Sequence, residues 1–92
     1  MSFIFDEHTA PDLANWRESV RFCMVSGKTR AVCQIAFETL RDLGPDEIET
    51  DAECLNRFHL HRAPITGAAA RLLAKGAHEG GTIIQIMRAN MP

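Results

Sequence analysis

Three sets of residues in this 92-residue chain have the chemistry for catalysis or ligand binding: His59 with His61, the cysteines Cys23, Cys33 and Cys54, and Arg62. Imidazoles are common metal ligands. On a helix, however, side chains two residues apart diverge by about 200°, so His59 and His61 do not share an ion. Cys54 and His61 fall on one side of such a helix but about 10 Å apart along its axis. His8 and His78 fall in loops with no ligand spacing around them. No metal is expected. Cys54 lies in the first turn of a helix, where the dipole favours a thiolate. Asp51 and Glu53 adjoin it and oppose that charge, and no histidine is placed to act as its base. The cysteines therefore read as small apolar side chains. Glu79-Gly80-Gly81 precedes a strand, whereas phosphate loops follow a strand and open a helix. Ser2, Ser19 and Ser26 carry no nucleophile-elbow sequence. No catalytic residue and no cofactor is assigned.

The elements that must position these residues are legible in the alternation of side chains. Gly27-Lys28 is a two-residue hairpin turn, with Gly supplying a positive φ. The register it sets pairs Met24 with Ala31, Phe22 with Cys33 and Val20 with Ile35, all six on one face. The other face carries Arg21, Cys23, Val25, Arg30, Val32 and Gln34, and is half polar. Phe3-Ile4-Phe5 reads as an edge strand, and Asp12 to Trp16 as one helical turn capped by Asp12. Residues 36–43 read as a short helix ended by an αL stop at Gly44-Pro45. Thr50-Asp51-Ala52-Glu53 fits a capping box opening a longer helix. In it Leu55, Phe58, Arg62, Ile65, Ala69 and Leu72 recur every three or four residues. Pro64 interrupts this stretch, leaving either one kinked helix or two abutting ones. Gly76 ends it, residues 82–87 form a last strand, and residues 88–92 are expected to fray. The order β-β-β-α-α-β predicts a two-layer α+β fold: a small, mostly antiparallel sheet with a central hairpin and helices packed on one face.

Arg62 breaks its stripe, standing where an apolar side chain belongs. An arginine there lays its stem on the core and its guanidinium at the rim, and any buried charge needs a partner. Glu38 is the first choice of carboxylate, ahead of Asp42, Asp12 and Glu18. Should Arg62 instead face an open cleft, His61 and Arg62 become the first candidates for a ligand site.

Composition bounds the function. The chain has 10.2 kDa, 46% hydrophobic residues (12 of them Ala), ten Lys and Arg against twelve Asp and Glu, and a net charge of −2. It reads as one domain over residues 1–92, neither a polycation nor a disordered chain. No apolar run approaches the ~18 residues of a membrane span, and the N-terminus does not resemble a signal peptide. Three cysteines without paired spacing suit a reducing compartment, the cytoplasm.

Several of these residues have a familiar order. Trp16, Val20-x-Phe22, the Gly27 turn, Cys33-x-Ile35, Leu40, Phe58-x-x-His61-Arg62-x-x-Ile65 and the final Gly-x-Ile strand resemble the small bacterial proteins of domain-of-unknown-function family 1488, over roughly residues 3–87. Ala36, where that pattern leads one to expect a Ser helix cap, and Pro64 depart from it. The resemblance implies a small α/β fold in a bacterial cytoplasm and no assigned activity.

The expected function is accordingly a non-enzymatic binding or regulatory module. Its interaction face is the outer sheet face with Cys23, Val25 and Val32, joined by Ile83 and Met87, because a sheet covered on one side should be more polar there. A homo-oligomer or protein partner is expected to cover it. One alternative is nucleic-acid or anion binding by Arg17, Arg21, Lys28 and Arg30 of the hairpin region with Arg57, Arg62, Arg71 and Lys75 of the helix. A half-polar face without aromatics and a net charge of −2 speak against nucleic acid. A small enzyme with a cleft at His61 and Arg62 is the other alternative.

Overall fold

A computed structural model of the chain describes residues 3–14, 19–44, 47–76 and 83–91. Two alternating eight-residue stretches build its centre. β3 (Ser19–Ser26) and β4 (Thr29–Ala36) pair antiparallel across Gly27-Lys28, and Gly27 takes φ 60°. A Cβ disfavours that backbone conformation, so glycine fits the turn. Val20 pairs with Ile35, Phe22 with Cys33 and Met24 with Ala31, and all six are buried, as the alternation predicts.

Two short strands lie in succession along the edge of β3 away from β4: β1 (Ile4–Phe5) and β2 (Asp12–Ala14), both antiparallel to it. The second corrects an expectation. Residues 12–14 are not a helical turn but a strand, with Leu13 opposite Val20. A lone helical turn fixes several dihedrals for one hydrogen bond, whereas the open edge of β3 offers each residue a ready ladder. Trp16 lies outside the described residues.

α1 (Phe37–Asp42) follows β4 directly, and Ala36 contributes no side-chain cap to it. It closes when the Leu43 N–H bonds the Leu40 carbonyl, with Leu43 still right-handed. The expected αL stop at Gly44 is absent, since Gly44 does not have a positive φ.

α2 (Asp51–Leu60) is capped by Thr50, whose Oγ1 accepts the Glu53 N–H at 3.1 Å. The Glu53 carboxylate reaches back to the Glu49 N–H at 3.0 Å, one residue beyond the expected box. α3 (Arg62–Ala74) begins after a single non-helical residue, His61, at φ −109° and ψ 20°. The chain therefore forms two abutting helices. Pro64 accounts for the break: it lacks an N–H for the Leu60 carbonyl and crowds it. The His61 N–H turns to the carbonyls of Arg57 and Phe58, both at 3.2 Å. Gly76, at φ 86°, follows the last turn of α3.

β5 (Ile84–Ile86) runs parallel to β4, pairing Cys33 with Ile84 and Ile35 with Ile86. Parallel neighbours require a crossover, and α1, α2 and α3 lie between them in the chain. The sheet is thus mixed, in the order β1-β3-β4-β5 with β2 also on β3. Arg88–Asn90 form one 3₁₀ turn, in which Asn90 Oδ1 accepts the Met87 N–H at 2.8 Å.

The core lies between the sheet and the helices. Phe22 and Phe58 meet at 5.1 Å between ring centroids, and Phe5 adjoins both at 6.3 and 6.2 Å. Ile65, Ala69 and Leu73 of α3 and Ile86 of β5 complete it. The fold is α+β, with a sheet on one side and helices on the other.

Candidate functional site

The outer sheet face is set by the same register that builds the core. Side chains opposite in phase to Phe22 point away from the helices: Arg21, Cys23 and Val25 on β3, Arg30, Val32 and Gln34 on β4. Ile4 extends this face at one side by pairing with Val25, and Ile83 and Gln85 extend it at the other. Val32 and Ile83 are neighbours, because Cys33 pairs with Ile84 one residue on. They are 39% and 37% exposed, and Ile4 is 65% exposed.

The face is less open at Cys23 than the sequence suggests. The segment after β1 folds over it, and Cys23 is only 8% exposed. Asp6 organises that segment: its carboxylate accepts the Thr9 hydroxyl at 2.8 Å and the His8 N–H at 3.0 Å. Arg30 Nη2 donates to Thr9 Oγ1 at 2.8 Å and to the Cys23 sulfur at 3.3 Å, and stands 3.9 Å from Asp6. The hydrogen bonds from Thr9 and His8, more than the Arg30 charge, hold the Asp6 carboxyl below its usual pKa. Contact with Cys23 raises that of Arg30. Beyond this network, Arg21 Nε donates to Gln34 Oε1 at 3.0 Å, and Gln34 is buried.

Arg62 lies at the edge of this face. Its guanidinium carbon stands 5.1 Å from the Phe5 ring centroid, a cation–π contact. Among the described residues no carboxylate pairs with it, so the expected ion pair to Glu38 is not formed. The break at His61 turns Arg62 out of the core stripe. It borders a depression of about 420 Å³ with Ile4, Phe5, Asp6, Glu7, His8 and Val25. Arg62 and Val25 are thus brought together. His61 instead borders a separate groove of about 370 Å³ with Leu43, Gly44, Glu47, Glu53, Asn56, Arg57 and Leu60.

The two groups of basic residues part company as well. Arg21 and Arg30 belong to the outer sheet face, whereas Arg57 and Arg71 belong to helices on the core side. Among the described residues no three His, Cys, Asp or Glu side chains converge, and no helix is long and apolar enough to cross a membrane.

The sequence profile of a protein family of unknown function, DUF1488, matches residues 4–84. The chain belongs to the DUF1488 family. A crystal structure of a DUF1488 protein of unknown function from Shewanella loihica PV-4 superimposes with a TM-score of 0.81 at 23% identity, covering 95% of this chain and 93% of that one. No curated protein matches.

One buried cation in this DUF1488 protein escaped the sequence reading. Arg57, not Arg62, is the arginine of the interior, 8% exposed. Its Nη1 donates to the carbonyls of Leu40 at 3.2 Å and Arg41 at 3.3 Å, in the last turn of α1, where carbonyls run short of helical partners. Gly44 makes room: a Cβ there would stand 2.8 Å from the guanidinium carbon. A glycine after α1 that takes no left-handed φ is the trace this packing leaves in the sequence, and only the backbone reveals it.

Proposed function

We propose that this DUF1488 protein is a non-enzymatic binding module that pairs with a second copy of itself through the outer sheet face. The observation that carries this reading is the exposed neighbouring pair Val32 and Ile83, in a sheet whose helices cover only the other side. A two-fold interface presents the same patch twice, so it must tolerate its own charges. Here the face bears Arg30 with Asp6 and Arg21 with its cross-strand neighbour Asp12, two cations matched by two anions. Such a face does not repel its copy. Three buried free thiols suit residence in a reducing cytoplasm.

Sedimentation velocity across a concentration series tests the proposal. A reversible dimer is expected, and Val32→Asp should return it to monomer by placing a charge at the centre of the contact. A wild-type chain that stays monomeric at high concentration, or a Val32→Asp dimer of unchanged affinity, overturns it.

A further inference from the structure

We propose a second binding surface on the helix side, in the groove between the end of α1 and α2, that takes a basic segment of a partner protein carrying one bulky apolar side chain. This goes beyond self-association and uses a different layer of the fold. Three observations support it. Leu60, the last residue of α2, is 71% exposed, and it borders the groove together with half-buried Leu43. The groove of about 370 Å³ is of a size to receive a side chain. Its acidic border is Glu47 and Glu53, within a stretch from 42 to 53 that holds six acids and no base.

Charge complementarity selects the partner. Glu47 and Glu53 place two carboxylates on this border against one arginine, Arg57, and from residue 54 to the end the chain has five Lys and Arg and one acid. Arg57 presents little of its charge at the mouth, because it is only 8% exposed and its Nη1 donates to carbonyls of α1. A cationic segment is drawn in by Glu47 and Glu53, and an acidic or nucleic-acid partner is repelled. Exposed ion pairs alone bind weakly. An apolar side chain set between Leu43 and Leu60 supplies the anchor that such pairs then orient.

An amide NMR titration with three synthetic peptides tests this: a short lysine-rich peptide with one central leucine, the same peptide with glycine in that place, and a glutamate-rich counterpart. The lysine–leucine peptide should saturate, shifting amides of Leu43, Asn56, Leu60 and His61. The glycine peptide should bind about tenfold more weakly, and the glutamate peptide not at all. Leu60→Ser should weaken the leucine peptide about tenfold. Glu47→Gln with Glu53→Gln should weaken it and flatten its salt dependence, while the glutamine at 53 keeps an acceptor for the Glu49 N–H. Equal affinity for the leucine and glycine peptides, shifts clustered elsewhere, or failure to saturate overturns the proposal. The peptide exchange reads the anchor on the unaltered chain, so the test stands even where a variant folds poorly.

Discussion

A guanidinium taken out of water needs acceptors for its donors and space for its plane. Arg57 has the first in the terminal carbonyls of α1 and the second in the missing side chain of Gly44. These two residues should therefore behave as one unit. Arg57→Met strips two carbonyls of a charged donor and should cost about 2–3 kcal/mol. Gly44→Ala pushes a methyl into the guanidinium and should cost about 1–2 kcal/mol. In the double variant the methyl has no guanidinium to meet, so the combined loss should fall short of the sum by roughly 1 kcal/mol. Urea unfolding of the four proteins checks this; strict additivity would mean that Gly44 serves something other than Arg57. Arg62 shows the contrast. It keeps its charge at the surface and needs only the face of Phe5.

At the scale of elements, what was legible in the sequence was what neighbouring residues settle among themselves. The hairpin register follows from one turn and strict alternation, and both strands agree on it. The Thr50 cap and the Gly76 stop are likewise local. β2 was not legible, because its strand character comes from β3, a partner several residues away. The break at His61 is not fixed by the sequence, because Pro64 permits either a kink or a stop, and tertiary packing decides. That break also bears on Arg62, whose guanidinium meets the Phe5 ring instead of a carboxylate, so the partner depends on a helix geometry that the sequence leaves open. The hairpin's weight in the fold can be measured at Phe22, which is 1% exposed and packs on Phe58. Phe22→Ala should cost about 3–5 kcal/mol, the transfer of a ring plus the cavity it leaves. Chemical denaturation reads it directly, and a loss under about 1 kcal/mol would show that the ring is not enclosed.

For the whole molecule the decisive fact is a core to which the sheet and α1, α2 and α3 all contribute. A group inside it reports on global unfolding. Cys33 is that group: it is fully buried beside Ile84 and opposite Phe22. Burial, with a smaller contribution from the charge of Cys23, pushes its pKa from 9.0 up to about 12. A thiol loses a proton on ionising, so between these values the unfolded chain has released a proton that the folded chain still holds. The folded state therefore keeps its full stability below pH 9 and loses it as pH rises toward 12, by at most about 1.4 kcal/mol per unit. Asp6 contributes in the opposite sense, with its folded pKa lowered from 3.8: its contribution is present above that value and declines as pH falls through the lowered pKa. Urea midpoints measured from pH 7 to 11 should fall across the alkaline range. Cys33→Ala should start from lower stability, because it leaves a cavity, yet show a shallower alkaline slope. Reaction of the native chain with a thiol reagent at pH 8 should spare Cys33 until the chain is unfolded. An alkaline slope identical in Cys33→Ala and the wild-type chain would assign the loss to other groups and show that Cys33 is not sealed in the core.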